Sequence, residues 1–175
     1  MTPQKELLEI FDYEGNYLGL LDRKTCHNNP NIAHKAVHVL VFNSKKELIL
    51  QKRSSKKELY PNFWDTSVGG HLIPGENYYD AAIRECKEEL GFEPRSLTFL
   101  YTYKAFFPHE TELVTTYYTI FDGPYIFQNS DEVSEIKAFS LDELFATCVN
   151  HQLSPYFLLE LEQLKKFIKK HGRVI

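Results

Sequence analysis

The chain has 175 residues, 43% of them hydrophobic and 14% aromatic, with a formal net charge of −4 at neutral pH. That length suits one domain with a sizeable core, and that composition excludes a disordered chain. The acidic balance argues against a general nucleic-acid binder, and neither a bilayer-spanning run nor a secretory leader is legible.

Residues 7–21 read as a hairpin around Tyr13, Glu14, Gly15 and Asn16. Residues 36–42 and 47–51 read as two strands joined by 43–46, and a long loop follows through Pro61 and Trp64. After a central helix, strands resume at 97–106, 113–121 and 136–139. Ser140 and Glu143 have capping-box spacing and open a short helix. The last helix, about 154–171, begins at Ser154-Pro155 and stops near Gly172. Its stripe of Phe157, Leu161, Leu164 and Ile168 should pack on the sheet. Strands flanked by helices on both sides imply a single α/β/α sandwich over residues 1–175, with a mixed sheet. Cys26, Cys86 and Cys148 are odd in number and irregularly spaced, which predicts reduced thiols in a cytoplasm and no structural zinc.

The central helix carries the chemistry. Residues 70–92 follow the pattern G-x5-E-x7-R-E-C-x-E-E-x-G-F. Asn77 is suited to cap the helix, Asp80 lies in its first turn, and Gly91 is suited to stop it. The spacing predicts Tyr79, Ile83, Cys86 and Leu90 on one face and Glu85, Glu88 and Glu89 on the other. Three carboxylates that close repel one another unless a cation joins them. Hard divalent cations take oxygen ligands, and Mg2+ commonly shares its shell with substrate phosphates. The glycines before the helix let backbone approach a ligand.

This pattern resembles the Nudix box, G-x5-E-x7-R-E-U-x-E-E-x-G-U, where U is a bulky apolar residue. All seven specified residues match, from Gly70 to Gly91; only Cys86 is a soft departure. Chance agreement at a given start is on the order of 10^-8. The resemblance implies the Nudix α/β/α fold and hydrolysis of a nucleoside diphosphate linked to some moiety X.

A second resemblance, over roughly residues 20–145, is to the type I isopentenyl-diphosphate isomerases, a Nudix branch that does not hydrolyse. Trp64-Asp-Thr-Ser-Val-Gly-Gly-His71 is similar to their W-T-N-S-V-C-G-H segment. Their first metal is held by three histidines and two glutamates, which fall here on His27, His34, His71, Glu110 and Glu112. Such a mixed nitrogen and oxygen set suits Mn2+, Zn2+ or Mg2+. Their diphosphate-binding basic residues fall on Arg23, Arg53 and Lys57. Their catalytic cysteine falls on Gly69, which offers no acid or base, while the box carboxylates are all retained. His38, His109, His151 and His171 have no counterpart and read as structural.

The expectation is therefore metal-dependent cleavage of a diphosphate bond in a small molecule, with no nucleic acid and no membrane as partner. Glu85, Glu88 and Glu89 are the expected Mg2+ or Mn2+ ligands, with Glu76 in support. Arg84 orients them, Gly70 meets the substrate, and a second transition metal occupies the histidine set. The general base is Glu85 or Glu112, which sequence does not separate. Trp64, Tyr60, Phe106, Phe107 and Tyr117 are either base-stacking residues or core. Two readings of other classes stay open: an isomerase-like enzyme and a silent diphosphate sensor. So does a homodimer.

Overall fold

The computed structural model describes residues 6–126, 131–146 and 152–175. Cys148 and His151 lie outside the described residues. In chain order the elements are β1 (Leu7–Phe11), β2 (Tyr17–Asp22), α1 (Arg23–Cys26), β3 (Ala33–Phe42), β4 (Leu48–Arg53), β5 (Trp64–Asp65) and β6 (Val68–His71). They continue as α2 (Tyr78–Leu90), β7 (Thr98–Phe106), β8 (Thr111–Ile120), β9 (Val133–Phe139), α3 (Leu141–Ala146) and α4 (Pro155–His171). The strands form one mixed sheet of nine. Helices cover both faces, as the sequence implies.

Strand β3 organises the sheet. One edge pairs in parallel with β8 along its whole length. The other edge meets β1, then β6, then β4 in turn. Strands β3 and β4 share only the pair Phe42–Leu48 and then splay apart. Strand β6 fills the gap on the β3 side and β5 on the β4 side. Ser67 sits in the fork. Its Oγ accepts from Val41 N–H at 2.9 Å, and its hydroxyl donates to the Ile49 carbonyl.

The alternation of β3 divides the core. Val37, Val39 and Val41 pack with Ala81, Ala82, Cys86 and Leu90 under α2. Leu40 and Phe42 pack with Phe157, Leu161 and Leu164 under α4. His34, Ala36 and His38 therefore share the α4 face. Trp64 belongs to that second core, edge-on to Phe139.

Both long helices end as the sequence dictates. The Asn77 side chain accepts from Asp80 N–H, and Gly91 takes φ +71°. The Ser154 side chain accepts from Phe157 N–H ahead of Pro155, and Gly172 closes α4 at φ +86°. The buried face of α2 differs from the expectation. Cys86 and Leu90 are buried, but with Ala81, Ala82 and Glu85. Tyr79 is 46% exposed at the edge, against Tyr117. Two alanines let the helix approach the sheet closely, and Glu85 is buried beside them. Strands β5 and β6 were expected as loop, because two to four residues rich in glycine carry no readable period. Cys26 and Cys86 are free and buried.

Candidate active site

Two groups of side chains flank β6. The first comes from α2. Gly70 has no side chain because Glu85 occupies that space: a Cβ at residue 70 would lie 2.0 Å from Glu85 Oε1. Glu89 Oε2 accepts from Gly69 N–H at 3.1 Å and from Gln51 Nε2 at 2.7 Å. Burial pushes the Glu89 carboxyl up to about 8, with the Glu85 charge adding. Burial also raises Glu85, against the opposing pull of Arg84. Arg84 gathers the rest. Its guanidinium bonds Glu76 at 2.8 and 2.9 Å, Glu85 at 2.7 Å, Glu88 at 3.2 Å and the His71 carbonyl at 3.0 Å. Those contacts raise Arg84 and, against burial, hold Glu76 low.

The second group lies where His34 meets β1, β6, β8 and α1. Residues scattered over the sequence converge there: His27 beyond α1, His34 on β3, His71 on β6, Glu110 and Glu112 at the start of β8. His27 Nε2 is 3.3 Å from His71 Nε2, and His27 Nδ1 is 3.3 Å from Glu110 Oε2. His34 Nε2 is 3.7 Å from both Glu110 Oε2 and Glu112 Oε1, and His71 Nε2 is 3.6 Å from Glu112 Oε1. Two sets of ligand atoms, His27–His34–His71 and His34–Glu110–Glu112, each lie within 4.8 Å of one another. Among the described residues, both ring nitrogens of His34 and Oε2 of Glu110 are buried without a hydrogen-bond partner. Unsatisfied buried acceptors facing one another are costly, and a cation between them removes the cost. The donor set therefore fits a metal.

Charge in this group is divided unevenly. Burial lowers His27 to about 3, with His71 and His34 adding. Burial opposes charge on His71 too, but Glu112 and Glu6 win and raise it to about 9. Burial works against charge on Glu112, but the neighbouring His34 and His71 hold it well below the usual carboxylate range.

The basic residues are less gathered. Arg23 pairs with Glu6, which also faces His71. Arg53 pairs with Asp65 at 3.0 Å in the fork. Lys57 pairs with Glu132, just before β9. Of the aromatic residues, Phe106 is exposed, while Phe107 and Tyr60 both pack on Tyr156. Tyr156 also donates to Glu110 and was not anticipated. A further group was missed: His38 and Glu160, both buried and 2.6 Å apart. Period reading places residue 160 inside an apolar helix face, and a glutamate there was the available signal.

Comparison with known proteins agrees with this architecture. The NUDIX domain model matches residues 33–159. The chain belongs to the Nudix family. It is similar to an uncharacterized Nudix hydrolase of Listeria innocua, 33% identical over 81% of this chain and 85% of the relative. It is 34% identical to the isopentenyl-diphosphate Delta-isomerase of Streptomyces griseus, over 55% of this chain and 49% of that one. Among solved structures, DR0079 of Deinococcus radiodurans superposes with a TM-score of 0.77 at 25% identity, covering 90% of this chain and 98% of that one. Divalent metals are typical of the family. Among the described residues, no helix is long and apolar enough to cross a membrane.

Proposed function

We propose that this chain hydrolyses a diphosphate bond in a nucleoside diphosphate linked to X, or in a related small molecule. One observation carries the reading: Glu85 and Glu89 both abut the Gly69-Gly70 backbone while Arg84 ties Glu85 to Glu76 and Glu88. The carboxylates are thus held ready along one strand edge. Glu85, Glu88 and Glu89, with Glu76, are the residues that would hold Mg2+ or Mn2+, which supplies Lewis acidity toward the diphosphate. Arg84 keeps the carboxylates apart and oriented. Glu85 takes a proton from the attacking water, with Glu112 as the second candidate. Arg23, Arg53, Lys57 and the Gly70 backbone would meet the phosphates of the substrate. His27, His34, His71, Glu110 and Glu112 would hold a second, transition-type metal.

The geometry favours hydrolysis over an isomerase-type reaction. Gly69 carries no acid or base, and a Cβ there would meet His38 at 3.1 Å and Thr66 at 3.2 Å. A side chain there would need His38 and Thr66 to give way by a few tenths of an ångström. A silent sensor would have no use for a full set of activated carboxylates. The test is a phosphate-release screen over nucleoside diphosphate sugars, dinucleotides, nucleoside triphosphates and prenyl diphosphates with Mg2+ and with Mn2+. Metal-dependent release from at least one substrate is expected. No release from any of them would overturn the reading.

A further inference from the structure

The β3 face that carries His34 also carries His38. Between them Ala36, with its buried neighbours Val114 and Ala105, makes a floor of small side chains. His38 stands at the inner end of that floor, opposite Thr116 on β8 and Gly69 on β6. Its Nδ1 lies 2.6 Å from Oε2 of Glu160, which α4 delivers fully buried. The same carboxylate accepts from Tyr101 at 2.6 Å, Tyr103 at 2.7 Å and Thr116 at 3.2 Å. A carboxylate so surrounded by donors stays ionised, and the imidazole facing it presents N–H at Nδ1. Nε2 is then the nitrogen left to exchange a proton. It makes no hydrogen bond among the described residues, and the side chain keeps 11% of its surface open. Gly69 admits it: a Cβ there would lie 3.5 Å from Nε2. Gly69 also touches the box, through its N–H to Glu89. Beside it the Thr66 hydroxyl is buried with no hydrogen-bond partner among the described residues.

An imidazole fixed by a carboxylate at one nitrogen and open at the other is arranged for proton transfer. A buried imidazole that serves structure alone commonly bonds both of its nitrogens. We infer that His38, positioned by Glu160, donates its Nε2 proton to the oxygen that leaves phosphorus. This rests on the hydrolytic reading above. Water oxygen bonds to phosphorus as the phosphorus–oxygen bond to the leaving group breaks, its electron pair staying on the leaving oxygen. His38 protonates that oxygen, the box base takes a proton from the water, and solvent restores both groups. The titratable groups facing His38 are Glu160 from α4, Tyr101 and Tyr103 from β7, Glu112 from β8, and Asp65 with its partner Arg53. Strand β6 contributes only Gly69 there. Burial works against charge on His38, but Glu160 wins and raises it above its ordinary value.

His38→Asn keeps a donor toward Glu160 and removes Nε2. Its kcat on a diphosphate substrate should fall about 100-fold, and the high-pH limb of the kcat profile should vanish. On a nitrophenyl phosphodiester, whose leaving group departs without a proton, the loss should stay within about threefold. Glu160→Gln should move the limb to lower pH, because it removes the charge that holds the proton on His38. Equal losses on both substrates, or an unmoved limb, would overturn the inference. An independent arm uses imidazole nitrogen NMR of the wild-type protein with Mg2+ and inorganic pyrophosphate. The His38 Nε2 signal should shift, and an unmoved signal would overturn the inference. If the wild type cleaves neither substrate yet the signal shifts, the hydrolytic reading falls while His38 is retained as the group facing the diphosphate.

Discussion

Gly70 and Glu85 occupy one space: the carboxylate of Glu85 lies where a side chain at residue 70 would begin. The conflict is with the tip of a flexible side chain, so Gly70→Ala should fold. Its melting temperature should stay within a few degrees of wild type, since the one obstacle is the end of a single flexible side chain. Glu85 must leave its place, and kcat should drop at least about 100-fold. Paired calorimetry and turnover measurements check this; full activity in the variant would remove Glu85 from the mechanism.

Glu88 is the exposed member of the box, its side chain 58% accessible and bonded to Arg84. Glu88→Gln should leave stability unchanged. It should cut kcat by at least about 10^2, because a charged ligand whose task is electrostatic becomes neutral. Wild-type turnover on the best substrate would show the assigned role to be wrong.

The histidine group should retain Zn2+ or Mn2+ through purification and release it below about pH 6, where free imidazoles take up protons. His71, held to about 9 by Glu112 and Glu6 despite burial, must lose its proton before its ring nitrogen can ligate. Uptake should therefore release protons and tighten as pH rises. Elemental analysis after dialysis at pH 7.5 and 5.5 tests this, with His34→Ala as the empty control. Metal retained equally by that variant would exclude the group as the binding site.

The His38–Glu160 pair sets a stability window. Glu160 is held below its ordinary value of 4.5, so its contribution is present above that pH and fades as acid protonates it. His38 is held above its ordinary 6.5, so its contribution is present below that pH and is lost as pH rises through the folded value. Both act together between 4.5 and 6.5. Glu160→Gln should cost about 3–5 kcal/mol there, as breaking a buried pair does, and less at high pH. Urea titrations from pH 4.5 to 9 would measure it; a pH-independent loss would contradict the ionised pair.

Much of this molecule is legible in its sequence where spacing and capping are strict. The caps at Asn77, Gly91, Ser154 and Gly172 fall where expected. The five residues taken from the isomerase resemblance do meet in space. What period reading loses is any face where a polar group replaces an apolar one. Glu85 faces inward among Ala81, Ala82 and Cys86, and Glu160 sits beside Phe157 and Leu161. Each looks like a solvated residue until its partner, Gly70 or His38, is brought up by a strand remote in sequence. The short strands β5 and β6 escape for a different reason: pairing with β4 and β3, not local propensity, makes them strands.

One hydroxyl governs how far the sheet opens. In an ordinary hairpin Val41 N–H and the Ile49 carbonyl would find each other across β3 and β4. Here Ser67 stands between them and satisfies both. The gap between β3 and β4 is thus a wedge held open by a single small side chain. Neither backbone group is left without a partner by keeping it open. The apex is then held by two hydrogen bonds of Ser67, independent of the longer side chains further out. A scaffold of that kind lets the selectivity of the entrance change without disturbing the frame behind it.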